Sequence, residues 1–432
     1  MPLLLIISFV KLTYNNANCK LLTPNLLYGG VNLFHVEYWI WLQSAVGYGS
    51  SKPALLLKNF GSIEKIFEAT YQDYQNISKL TKREIDGLCN KTLETSAKII
   101  ESCLEKGYKI ITFEDEDFPA QLKNIYAPPI VLYVWGELQS FQDSLLIAIV
   151  GTRQITEYGY EVATKLAMGL ARSGAVVVSG LALGVDGAAH KGSLKANGKT
   201  IAVIGCGLDY AYPTSHIELK RLISKNGAVV SEYPQNMRPD KYTFPMRNRI
   251  IAGLSHGTVV VEAGKRSGAL ITASFAAESN RDVFSVPGSI FSAMSEGTNK
   301  LIKDGAKPVC SSLDILEEYL YMFSNTIKFN NDNNEKVEIE DEKSEYKKIS
   351  TKKSNGLLKQ QEMETQVVQR TVPVGLTETQ TQVFELLSNN PIHVDELSIK
   401  ANLELRVVLT AMTALEIQGL VCSYPGRRFT RV

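Results

Sequence analysis

The run Phe244-Pro245-Met246-Arg247-Asn248-Arg249-Ile250-Ile251 places two guanidinium groups and one amide within three consecutive residues. Guanidinium groups are planar forks of N–H donors that suit phosphate, and a neighbouring aromatic offers a face on which a nucleobase can stack. Pro245 fixes its own φ and biases Phe244 away from helical geometry, so Phe244 is expected to lead in from an extended segment. The cluster then opens a short helix ahead of a strand near Thr258. The other reading is an ion-paired structural cluster, and the remainder of the chain has to decide between them.

Four more segments carry groups that could do chemistry. Gly151-Thr152-Arg153 follows an apolar run and precedes a helix expected near Glu157, a turn whose backbone N–H groups and arginine suit a phosphate. Ser179 and Gly180 open a second glycine-rich turn that runs to His190, with Asp186 and His190 four apart on one helix face. That pair is either an acid–base couple or a structural closure of the loop, and no nucleophile or metal-ligand set accompanies it. Gly205-Cys206-Gly207-Leu208-Asp209-Tyr210 resembles the opening of a dinucleotide fingerprint, with Glu232 in the place of the ribose-binding acid. Tyr210 stands where the third glycine belongs, so NAD binding is disfavoured. Ser267 and Gly268, within Lys265–Thr272, lead into an alanine-rich helix whose start could meet phosphate or allow close packing.

These segments are spaced by short β-branched runs at Leu145–Val150, Val176–Ser179, Thr200–Ile204, Ala228–Ser231, Thr258–Val261 and Asp282–Val286. Continuous apolar strands alternating with helices predict a parallel sheet covered on both faces, a doubly wound, Rossmann-like α/β domain over 113–323. Ligands in such folds bind outside the carboxyl ends of the strands, and small residues recur at those ends here. Residues 36–112 read as helical, with Ala45-Val46-Gly47-Tyr48-Gly49-Ser50 forming either a helix-hairpin-helix turn that grips phosphate or a tight turn between packed helices. Residues 324–370 are polar and rich in Lys, Glu and Asn, a composition expected of a flexible linker. Order resumes with Thr377 and Gln380 as a capping box, and 371–432 read as helix–helix–helix–ribbon, a winged helix. Its third helix, expected over Glu404–Gln418, carries Arg406 as its single cation, leaving duplex contact and a protein-contact or structural role both open.

A chain of 432 residues exceeds one ordinary core. Its net charge of +1 means that any polyanion site must come from local clustering. The six cysteines are scattered without a Cys-x-x-Cys pair, and the five histidines form no metal motif. This argues against a disulfide framework or a zinc module and for a reducing, cytoplasmic setting. The apolar stretch Pro2–Val10 is too short to span a bilayer and lacks a basic leader, so no membrane association is expected. Residues 1–35 are taken as an atypical or dispensable extension, because an orderly helical pattern begins only near Val36.

Taken in order, Val150–Arg153 with Tyr158-Gly159, the Ser179–His190 segment, Gly198–Val203 through Gly207-Leu208-Asp209 and Tyr212-Pro213, Ser231-Glu232-Tyr233-Pro234, Phe244–Ile251 and Ser267–Ala273 resemble the DNA-processing protein A (DprA/Smf) family. The resemblance spans the whole α/β region, and is looser over a SAM-like N-terminal region and a C-terminal winged helix. It implies a non-catalytic, cofactor-free bacterial protein that binds and protects single-stranded DNA, helps to load the RecA recombinase in natural transformation, and forms homodimers through the α/β domain. Carried over by motif, Arg153 and Lys241 become the principal phosphate cations and Phe244 the stacking platform. Arg247 and Arg249 line or brace the pocket, joined by Asn248. Gly151, Thr152, Ser179, Gly180, Ser267 and Gly268 supply backbone or hydroxyl contacts. The rival from another class is a nucleotide phosphoribohydrolase-like α/β enzyme, with Glu262 or Asp186 as acid–base residue. His256-Gly257-Thr258 with Glu262 matches part of that family's motif, without its preceding Pro-Gly-Gly.

Overall fold

The computed structural model describes residues 27–28, 31–138, 141, 143–210, 212–327, 376–388, 392–418, 420–424 and 428–431. Chain contacts divide it into two units, Met1–Lys336 and Val337–Val432.

The first unit begins with a short antiparallel pair, Leu27–Tyr28 with Val31–Asn32. Helix α1 (Leu33–Val46) follows, three residues ahead of the expected onset. Next come α2 (Lys52–Phe60), α3 (Ile63–Glu68), α4 (Tyr71–Gln75), α5 (Lys82–Cys89) and α6 (Glu94–Lys106). The short helices start where the sequence can cap them: Thr70 with Asp73 and Thr81 with Glu84 form reciprocal capping boxes. Trp39, Leu42, Leu56, Ile63 and Tyr74 are fully enclosed, and the same apolar cluster continues into Tyr133, Ile204 and Val229 of the sheet. The helical region therefore shares a core with the α/β fold.

Among the described residues, nine strands form the main sheet. They are β1 (Lys109–Thr112), β2 (Val131–Gly136), β3 (Leu146–Val150), β4 (Val176–Ser179), β5 (Thr200–Ile204), β6 (Gly227–Ser231), β7 (Gly257–Val260), β8 (Asp282–Ser285) and β9 (Lys307–Pro308). Their order is β9-β8-β7-β3-β4-β5-β6-β2-β1, with β3 to β9 parallel and β1 and β2 antiparallel at one edge. The six strands expected from β-branched runs are all present within a residue or so. Residues 109–112, expected at the end of a helical domain, instead form the edge strand of the sheet, so the break anticipated at 112/113 falls beside a strand and not between domains. Leu146, Ala148 and Val150 point to one face and Ile147 and Ile149 to the other, where separate helix layers cover them. The covering helices include the short α7 (Ala120–Lys123), α8 (Glu157–Arg172), α9 (Val185–Lys195), α10 (Ile217–Asn226), α11 (Thr243–Leu254) and α12 (Gly268–Glu278).

The chain runs β3-β4-β5-β6 in one direction, then crosses back to place β7 against the other side of β3, with Ile147 opposite Gly257. That reversal makes β3/β7 the topological switch point, where open α/β sheets present a crevice.

The expected linker begins inside this unit. Ile327 is buried against its core, while residues 328–370 lie outside the described residues, as do Pro2–Val10 of the expected extension. In the second unit the Thr377–Gln380 capping box opens the helix Glu378–Glu385. Ile392–His393, the helices Val394–Ala401 and Leu405–Ile417, and the strands Val421–Tyr424 and Arg428–Arg431 complete it. Its three strands pair antiparallel, with the last in the middle. This is the winged-helix arrangement. Among the described residues, no helix is long and apolar enough to cross a membrane.

Candidate nucleic-acid interface

At the switch point the end of β3 is tied across to the segment after β7 by the Thr152 N–H, which donates to the Glu262 carbonyl at 2.8 Å. Gly151 is required here because a Cβ would sit 2.9 Å from that carbonyl oxygen and overlap the Val185 side chain. The chain then turns into α8 with Thr156 as N-cap, its hydroxyl oxygen accepting the Gly159 N–H at 3.1 Å. The buried Glu262 carboxylate fixes that turn, accepting from the Thr156 N–H at 3.0 Å and from its hydroxyl at 2.5 Å.

On the opposite wall, α11 starts at Thr243, whose hydroxyl lies 2.5 Å from the Gly205 carbonyl. Phe244 is the second residue of this helix, and not part of an extended lead-in. Pro245 falls in the first turn, where its missing N–H costs nothing and its fixed φ suits the helix. The half-buried Phe244 ring lies 5.2 Å from the ring of Tyr212, tilted by 36°. The exposed Arg153 guanidinium sits over Phe244 at 5.2 Å. Exposed Lys241 stands just ahead of the helix, its ammonium 5.0 Å from the Tyr242 ring.

Between the walls lies a cleft of about 670 Å³, within the range of sites that take a small organic group. Gly151, Thr152, Arg153, Lys241 and Phe244 line it together. Arg247, Asn248, Ser267 and Gly268 line it as well, with Asn248 Nδ2 donating to the Gly268 carbonyl at 3.4 Å. Nine of the twelve residues singled out from sequence thus meet in one place.

Three do not. Ser179 is fully enclosed and its hydroxyl donates to the Ile149 carbonyl at 2.6 Å. Gly180 is buried behind Arg247, and a Cβ there would overlap the guanidinium. Gly180 thus makes room for an arginine of the protein and not for a ligand, and Ser179 is spent on the Ile149 carbonyl. Arg249 points away from the cleft and pairs with Glu232 at 2.6 Å. Glu232 also accepts the Gly49 N–H at 3.2 Å. The acid read as a ribose ligand is therefore committed to the protein, and so is the glycine N–H read as a phosphate donor.

Asp186 and His190 have separate partners. Asp186 accepts the Ala182 N–H at 3.3 Å, while His190 Nδ1 meets the Thr200 hydroxyl at 2.7 Å. Burial pushes the His190 pKa down to about 3 and the Asp186 pKa up, the latter opposed chiefly by the charge of Arg247. Burial also lowers the Arg247 pKa. Tyr212 and the position of Asp186 on the cleft wall escaped the sequence reading. Tyr212-Pro213 stood out as a motif, but its 32-residue separation from Phe244 concealed the ring contact.

The fold and cleft define a doubly wound α/β protein with a cationic, aromatic-walled crevice at its switch point, joined to a winged-helix unit. The profile of the family "DNA recombination-mediator protein A" matches residues 109–320, and that of the "DprA winged helix domain" matches 369–427. The DNA processing protein DprA of Bacillus subtilis is 43% identical over 221 residues, covering 51% of this chain and 74% of its own length. Protein Smf of Synechocystis is 32% identical over 413 residues, 91% of this chain and 98% of that one. The X-ray structure of DprA from Streptococcus pneumoniae superposes with a TM-score of 0.56 at 35% identity, covering 68% of this chain and 99% of that one. The chain belongs to the DprA/Smf family.

Proposed function

We infer that this chain is a non-catalytic recombination mediator that holds single-stranded DNA in the switch-point cleft. The observation carrying this reading is the convergence of Arg153, Lys241 and the Phe244–Tyr212 pair on one crevice. Cations beside an aromatic platform suit a strand whose bases are unpaired, because phosphates meet charge and bases stack without being paired. Glu262 serves as the tie that fixes the start of α8, which speaks against its use as the acid of a phosphoribohydrolase.

Gel shifts with oligo-dT at two salt concentrations test the reading. Wild type shifts the oligonucleotide, and Arg153→Ala/Lys241→Ala loses most of that shift. Each lost phosphate contact flattens the salt dependence by a slope of roughly 0.7. Undiminished binding by the double variant removes the cleft as the binding site. Family membership extends the proposal to protection of incoming strands, loading of a RecA-type recombinase, a homodimeric state and a cytoplasmic location. Co-precipitation with the recombinase and sedimentation of the free protein test the partner and the dimer.

A further inference from the structure

The rim of the cleft is cationic, but its inner wall carries an acid. Asp186 lines the cleft while only 7% exposed. Its carboxylate accepts one backbone N–H, from Ala182, at 3.3 Å. The Ser179 hydroxyl stands beside this carboxylate while also meeting the Ile149 carbonyl at 2.6 Å, and Arg247 is the leading opposite charge that the carboxylate faces. None of the ion pairs among the described residues includes Asp186. An ionised carboxylate has about four acceptor sites, so most of its capacity is unspent.

Arg247 lines the same cleft at 3% exposure. It donates through Nη1 to the Val203 carbonyl, and its buried Nε has no partner. A buried donor without a partner is costly to keep unless a ligand or water fills it, and beside it Asp186 has acceptor sites to spare.

A phosphate does not fit against Asp186, because like charges repel strongly in a partly desolvated site. A neutral group does fit when it offers Arg247 an acceptor and offers Asp186 a neighbouring donor that has no carbonyl on its far side. The pairing edges of unstacked bases offer this combination. Cytosine presents its N4 amino group beside N3, adenine its N6 amino group beside N1, and guanine N1–H and its amino group beside O6. Thymine presents one N–H flanked by two carbonyl oxygens, and a carbonyl turned toward Asp186 is repelled.

We propose that Asp186 and Arg247 read the edge of one nucleotide in the cleft and favour an amino-bearing base over thymine, while Arg153 and Lys241 hold the backbone. Asp186 is then a specificity-determining residue within a site otherwise indifferent to sequence. This rests on the single-strand-binding reading above.

The test is equilibrium binding of the full chain to short oligo-dC and oligo-dT, two unstructured pyrimidine tracts of equal charge. Wild type is expected to bind oligo-dC about tenfold more tightly, in the range of one good base-edge contact. A tract of N4,N4-dimethylcytosine, which lacks the amino hydrogens, is expected to fall to the oligo-dT level. Asp186→Asn, nearly isosteric, is expected to bring the dC and dT affinities within about twofold of each other. Equal wild-type affinities for dC and dT overturn the proposal without any variant being needed, as does an Asp186→Asn protein that keeps the full preference. If wild type binds both tracts equally and still depends on Arg153 and Lys241, base reading fails and strand binding stands. If it binds neither tract, both readings fail.

Discussion

The Arg249 guanidinium meets both carboxylate oxygens of Glu232 at 2.6 Å, in a pair whose side chains are 2% and 3% exposed. Two residues earlier on the same helix, Arg247 lines the cleft. Residues two apart on a helix lie some 200° around its axis, so adjacent arginines of one short motif are assigned opposite duties. One lines the switch-point cleft; the other, through Glu232 and the Gly49 N–H, fastens the N-terminal turn to the sheet. Breaking such a pair from one side leaves a buried charge alone, at a cost of about 3–5 kcal/mol. Glu232→Ala is therefore expected to lower the urea unfolding midpoint sharply, and Glu232→Met/Arg249→Met to recover a good part of the loss. A Glu232→Ala protein as stable as wild type would show that the pair holds nothing.

Phe244 separates stacking from charge. Replacing it with leucine removes the aromatic face and leaves Arg153 and Lys241 in place. Stacking contributes about 1–3 kcal/mol per base, so oligo-dT binding should weaken by roughly 5- to 150-fold with its salt slope unchanged. Fluorescence anisotropy at three salt concentrations measures both quantities. A flattened slope would mean that Phe244 acts only by holding Arg153.

Glu262→Ala removes the two bonds that fix Thr156 at the start of α8. The expected outcome is a stability loss of about 1–3 kcal/mol. Release of free base from nucleoside monophosphates is expected in neither protein, and chromatography of the reaction mixture reads this directly. Hydrolysis by wild type that disappears in the variant would instead install Glu262 as a catalytic acid.

His190 gives the fold an acid sensitivity. Unfolded histidine takes up a proton near 6.5, while burial holds the folded pKa at about 3. Because the unfolded state binds the proton first, stability falls as pH drops below about 6.5, and the loss levels off near the folded value. Between pH 7 and pH 5 this one residue accounts for about 2 kcal/mol. His190→Asn should shrink the shift in urea midpoint across that interval, and an undiminished shift would assign the effect elsewhere.

How much of this was legible in sequence depends on how far each feature reaches along the chain. The six central strands announce themselves through local β-branched runs, but the switch point does not, because alternation with helices leaves the strand order open and the pairing of β7 with β3 sets it. Strands β1 and β2 carry β-rich runs of their own, Ile110–Thr112 and Val131–Trp135, but their place at the sheet edge rests on antiparallel pairing with each other and with β6, some 95 residues on, which a local pattern does not reveal. Arg153 and Phe244 stand in motifs that invite phosphate and stacking on their own, Gly-Thr-Arg after a strand and an aromatic beside two arginines, whereas Lys241 came only from the family resemblance. Arg249 was misplaced for the opposite reason: its partner Glu232 sits at the end of another strand, so its burial depends on tertiary packing. Ser179 and Gly180 read as ligand contacts because small residues leave space, and sequence alone does not say that Arg247 takes the space at Gly180 or that the Ser179 hydroxyl turns to the Ile149 carbonyl.

The apolar cluster that runs from Trp39 through Tyr133 to Val229 bears on how this protein can be recombined with its relatives. A chimera that exchanged only the N-terminal helices would join mismatched halves of one interior and expose greasy surface on both. Grafts should carry 31–136 together with the sheet it abuts, leaving the C-terminal unit, which has its own core around Phe384, Leu397 and Met412, as the segment to trade.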